Sequence, residues 1–182
     1  SYTSGDSLLQ RTFPAYHTHH GPITHESEGR PVATAMMWDP PRALEQSFIR
    51  TKQDSYAGFR KMMDIRTNSS NNTVYADGDG NIAYFHGNFI PKRDTRFNFW
   101  EPVDGSNPDT DWKGLHTVDE NILVLNPPNG WIQNCNSTPY TSALEYSPKR
   151  GAFPSYMSAD EENFRGVHAI ELLSGRAGYT LD

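Results

Sequence analysis

The stretch "NTVYADGDGNIAYF", residues 72–85, constrains this chain more than any other. Val74 and Tyr75 precede a glycine-rich turn, and Ile82, Tyr84 and Phe85 follow it. β-Branched and aromatic residues suit a pleated surface, while Gly and Asn supply the left-handed backbone of a tight turn. The pattern predicts a β-hairpin. A second apolar run, "ILVL" at 122–125, stops at two prolines and reads as a buried strand.

Helices are predicted on either side. "DPPRALEQSFIRTKQ" has prolines suited to a first helical turn, then Leu44, Phe48 and Ile49 at helical spacing. "DSYAGFRKMMDI" offers Asp54 as a cap, with Tyr56, Phe59 and Met63 on one face. Ser158 with Glu161 fits an S-x-x-E capping box, so "ADEENFRGVHAIELLSG" reads as a helix ending near Gly175. Nearer the start, "TFPAYHTHHGPITHE" reads as strands around a turn at Gly21-Pro22, and "PVATAMMW" as a buried strand. Strands, helices, strands and a helix in that order make an α+β fold in layers.

The 182 residues suffice for one domain with its own core. Mean hydropathy is −0.73, with 14 Gly and 13 Pro, so much of the chain between elements is loop. The net charge of −6 comes without a basic stripe, which argues against a nucleic-acid partner. No apolar run is long enough for a membrane span, and "SYTSGDSLLQRTF" lacks the pattern of a secretion signal.

Several clusters invite chemistry. His17 and His19 would share one face of a strand, with His20, His25 and Glu26 nearby, which permits a two-histidine metal site without an obvious third ligand. "DGDGN" resembles the start of a calcium loop, but Ile82 and Asn88 stand where an EF-hand needs Gly and Glu. Cys135 has no charged neighbour in sequence that would activate it as a nucleophile and reads as inert. Around it, "GWIQNCNSTP" gathers three side-chain amides, Gln133, Asn134 and Asn136. Asn is poor in helices and strands because its amide competes for backbone hydrogen bonds, so the cluster either builds a turn or aims a donor.

Blocks along the chain resemble the penicillin amidase family of N-terminal nucleophile hydrolases. "NTVYADGDGNIAYFHGNFIPKR" is similar to the family's N-x-x-Y-A-D-x-x-G-N-I-x-Y block. "TDWKGLHTVDENILVLNPPNGWIQNCNSTP" resembles the block that leads to G-[WY]-I-x-N-x-N-x-x-P, and "ENFRGVHAIELL" the arginine-bearing helix beyond it. "HGPI" matches an earlier HG-x-[IV] element. The likeness covers residues 18–173 with the blocks in family order. "PVDGSNPDTDWKG" and "NCNSTP" look like the acylases that act on acyl amides, including aculeacin-type and acyl-homoserine-lactone acylases.

The resemblance implies a segment of the four-layer αββα sandwich, with antiparallel sheets and flanking helices. Residues 1–182 would be a single interior piece of the β-chain catalytic domain. Its partners would be the α chain, the remaining β chain and a small-molecule acyl amide. Asn136 would be the oxyanion-hole donor and Arg165 an organiser of nearby polar groups. The family's nucleophile is a serine at the start of the β chain, whose α-amino group is the base. "SYTSGD" does not resemble that motif, so Ser1 is not expected to be it. No cofactor is required; the family often binds a structural calcium, and "FPSYMSADEE" aligns in several ways with its Asp ligand. A bacterial periplasmic or secreted location is implied. The competing reading is a non-catalytic, aromatic-rich carbohydrate-binding module, for which exposed Trp and Tyr would be stacking platforms.

Overall fold

The computed structural model describes residues 1–178. The chain packs as two compact units, Ser1–Met36 and Met37–Asp182. The first holds β1 (Tyr2–Ser4) and β2 (Ser7–Leu9), an antiparallel pair, and a three-stranded antiparallel sheet of β3 (His17–Thr18), β4 (Gly21–Ser27) and β5 (Arg30–Ala33). Glu28 and Gly29 both take positive φ between Ser27 and Arg30, the geometry a two-residue hairpin favours.

This unit corrects three expectations. Gly21 and Pro22 open β4 rather than forming the turn, which falls on His19 and His20. Gly is needed at 21 because a Cβ there would lie 2.3 Å from the Thr34 carbonyl oxygen. His19 therefore sits in the turn, and the two-histidine strand face with His17 does not form. β5 ends at Ala33, so "PVATAMMW" is not one buried strand; Met36 is exposed, as is Trp38 beyond it. Apolar composition favours a strand, but burial needs a covering layer.

The second unit is built on the antiparallel sheet β6 (Thr73–Ala76), β7 (Ile82–Phe85) and β8 (Leu123–Leu125), with β7 central. The hairpin turn is locked by Asp77. Its carboxylate accepts from Tyr75 Oη, Asn81 Nδ2 and the backbone N–H groups of Asp79 and Asn81 at 2.9–3.1 Å. These bonds, that of the Asn81 side chain foremost, hold the Asp77 carboxyl below its ordinary range.

Alternation along β7 divides the core. Ala83 and Phe85 join Phe59, Met62, Met63 and Val118. Tyr84 joins Ile122, Val124, Ala143 and Met157 on the other side. Both faces are covered, which explains why "IAYF" shows no polar alternation. Burying each of the two aromatic side chains contributes about 2 kcal/mol.

Helix α1 (Pro40–Ile49) and helix α2 (Tyr56–Met63) lie upstream of this sheet. Asp39 caps α1, whose first two residues are the predicted prolines. Its packing departs from the pattern. Leu44 and Phe48 are 73% and 66% exposed, whereas Ile49 packs against the core as expected and Gln46 is buried. The Gln46 Oε1 accepts from the backbone N–H and hydroxyl of Thr67 at 2.8 and 2.6 Å, so α1 also docks through an amide. Ser55, not Asp54, caps α2, accepting from the Gly58 N–H at 3.3 Å.

The segment 94–121 is irregular but pinned. Arg96 bridges Asp94 and Asp109, and the Arg93 guanidinium lies 5.5–5.7 Å from the rings of Phe99, Trp112 and Tyr156. Helix α3 (Phe164–Gly175) ends where predicted and begins later. No helix among the described residues is long and apolar enough to cross a membrane.

Candidate active site

The amide cluster lies on the loop that leaves β8. Asn126, at φ +46°, ties the exit back to the sheet by accepting the Ile82 N–H at 2.8 Å. Pro127 accepts the Gly130 N–H at 2.9 Å, closing the turn that the two prolines begin. Gln133 is buried; its backbone N–H reaches Ser142 and its Oε1 takes the Cys135 N–H at 3.1 Å. Ser137, Thr138 and Pro139 are buried after it. Gln133 thus builds the turn, and the loop around Asn136 is fixed at both ends.

Asn136 does something else. Its backbone is left-handed at φ +52°, a conformation Asn tolerates best after Gly, and the residue is exposed. Arg165 Nη2 donates to Asn136 Oδ1 at 3.1 Å. A guanidinium has no acceptor, so the amide oxygen must face it and the NH₂ face away. Among the described residues no acceptor meets that NH₂. Both predicted site residues therefore touch each other, although 29 positions separate them.

The residue that makes this geometry is Asn163. Its Oδ1 caps α3 by accepting the Gly166 N–H at 3.0 Å. Its Nδ2 donates to the carbonyl oxygens of Cys135 at 3.2 Å and Asn136 at 2.8 Å. One amide thereby joins the start of α3 to the loop, two residues before Arg165. The contact is close because position 166 is Gly: a Cβ there would stand 2.4 Å from Ser137 Oγ and 2.5 Å from Ser137 Cβ. Sequence reasoning missed Asn163 because Ser158 and Glu161 imitate a capping box. The Ser158 hydroxyl instead takes the Asp160 N–H. The available signal was an Asn directly before the first helical residue.

Asn136 lines a cavity of about 230 Å³. Ser69, Ser70, Asn72, His86 and Asp160 form its polar wall, and Phe89, Ile90 and Met157 an apolar one. The His86 Nδ1 lies 2.9 Å from Tyr84 Oη, two residues earlier. Burial holds the His86 imidazole below its ordinary pKa, opposed by the nearby Asp160 charge and a bond to the Met157 backbone. Burial also raises the Tyr84 phenol. Sequence reasoning had given neither His86 nor Asp160 a place here.

Comparison with known proteins now decides the family. The family model described as penicillin amidase matches residues 2–182. The chain belongs to the penicillin amidase family. A relative, penicillin G acylase of Escherichia coli, is 30% identical over 132 residues, which is 70% of this chain and 15% of that protein. Among solved structures, the thermostable penicillin G acylase of Alcaligenes faecalis superposes with a TM-score of 0.62 at 22% identity, covering 88% of this chain and 31% of that one. The shared fold is α+β, with antiparallel sheets and flanking helices. The chain thus spans a minor part of the length of either relative.

Within this family frame the remaining candidates fall into place. Cys135 is half-buried, and its N–H serves the Gln133 turn. Trp112 and Trp131 are half-buried, and Trp112 packs edge-on against Phe89 with ring centroids 6.0 Å apart. Such packing suits a core wall better than a stacking platform.

Proposed function

We propose that this chain is part of an amidohydrolase that cleaves N-acyl amides, and that it contributes Asn136 as oxyanion donor. Attack on an amide carbonyl gives a tetrahedral intermediate whose oxygen carries a full negative charge. A fixed, uncharged N–H donor aimed at that oxygen contributes about 3–4 kcal/mol to the transition state. The observation that supports the reading is the Arg165–Asn136 bond, which commits the amide oxygen and leaves the NH₂ for a ligand on a residue that lines a cavity. Arg165 acts as a positioning residue. It also brings positive charge near the developing anion.

The nucleophile is a serine elsewhere in the full protein, and the acyl group passes through a serine ester. The α chain and the remaining β chain complete the site. Substrates are penicillin-type, acyl-homoserine-lactone or related acyl amides, met in the periplasm or outside the cell. The decisive experiment is Asn136→Ala in the intact enzyme. We expect kcat to fall about 10²–10³-fold, with stability lowered only by the roughly 1–2 kcal/mol that Ala costs at a left-handed φ. Wild-type turnover in that variant would remove Asn136 from the mechanism.

A further inference from the structure

We propose that the cavity beside Asn136 receives a substrate arm carrying a protonated amine, with Asp160 as its counter-ion. The proposal rests on the oxyanion reading of Asn136 for its link to catalysis. At about 230 Å³ the cavity is smaller than a pocket for a drug-sized ligand, so it holds one arm of a substrate.

Its charge points to a cation. Asp160 is the one carboxylate in the lining, which holds no Lys or Arg, and burial disfavours the charged form of His86. Among the described residues the ion-pair contact of the Asp160 carboxylate is His86 Nε2 at 3.9 Å, beyond hydrogen-bond reach. The Arg150 guanidinium donates to the Asp160 backbone oxygen and pairs with Glu161, and Arg165 is bonded to Asn136 Oδ1. The carboxylate, half-exposed at 48%, is thus left with acceptor capacity. An ammonium has three donors and no acceptor; Asp160 takes one, and the Ser69 and Ser70 hydroxyls and the Asn72 amide oxygen can take the others. Phe89, Ile90 and Met157 cover the carbon skeleton of the arm. A carboxylate-bearing arm would meet Asp160 as a like charge. The substrate class is therefore an N-acyl amide with a primary ammonium and a short apolar group near the scissile carbonyl.

Two measurements on the intact enzyme test this. In the first, calorimetry compares benzylammonium with its neutral isostere, benzyl alcohol. We expect about tenfold or more tighter binding of the cation, lost in Asp160→Asn and kept in Glu171→Gln, a charge control on the exposed face of α3. Equal affinities in the wild type, or a preference that survives Asp160→Asn, overturn the proposal. In the second, kcat/KM is compared for an arylacetyl amide and its α-ammonium analogue. The ratio should fall about tenfold in Asp160→Asn; an unchanged ratio overturns the assignment of the arm. The binding comparison needs no turnover. An Asn136→Ala enzyme with full kcat would sink the oxyanion reading while leaving the Asp160-dependent preference standing.

Discussion

Asn163 carries three bonds on one small amide, and its replacement separates two roles. As an N-cap it satisfies the Gly166 N–H; as a clamp it holds the Cys135 and Asn136 carbonyls. Losing the cap costs about 1 kcal/mol. Losing each clamp bond costs about 1 kcal/mol more. Asn163→Ala should therefore weaken the docking of α3 by about 3 kcal/mol. Asn163→Asp is the sharper variant. Asp caps as well as Asn and favours the positive end of the helix, so a residue that only capped would tolerate it. As a clamp, Asp has no donor and turns a negative charge toward two carbonyl oxygens. We expect a loss of about 2 kcal/mol or more. The assay is amide hydrogen exchange of α3 in the intact enzyme, where that loss reads as roughly 30-fold faster exchange. kcat should fall with it, because Arg165 leaves Asn136 when the helix end loosens. Exchange and kcat at wild-type values in Asn163→Asp would refute the clamp.

Two further outcomes follow from the geometry. Gly166→Ala gains helix propensity of about 1 kcal/mol but forces a Cβ into Ser137, which should cost more, about 1–3 kcal/mol, and lower kcat; added Ser137→Gly should restore part of both, and a stable, fully active single variant would count against close docking. His86 has a folded pKa below its unfolded value of about 6.5, so the unfolded chain binds the proton more readily and stability is lost as pH falls below that value. Unfolding free energies from urea titrations between pH 7.5 and 5 should therefore fall less in His86→Gln than in the wild type, by up to about 1.4 kcal/mol per pH unit, and identical slopes would refute it.

What could be read from the sequence was what neighbours in the chain decide. The hairpin at 73–85 was legible because its turn is closed by Asp77 and Asn81, within the turn itself. The strand at 123–125 was legible because no polar residue interrupts it. The direction of α1 was not legible. Leu44 and Phe48 mark an apolar stripe, but only Ile49 beyond them packs on the core, and the helix is also held by a buried amide whose partner, Thr67, lies 21 residues away. Periodicity has no term for such a bond.

The same reasoning explains the site. The resemblance pointed to Asn136 and Arg165 separately, and each alone had a duller account: a turn amide and a surface cation. Their contact across 29 residues makes the amide's orientation a matter of chemistry, because a guanidinium can only donate. That contact in turn depends on a Gly at 166 and an Asn at 163, neither of which bears a chemical signature of catalysis. Sequence shows which residue types could act. Whether they act together is decided by the small residues that let a helix end approach a loop, and those become legible once Ser137 is seen filling the space a side chain at 166 would need.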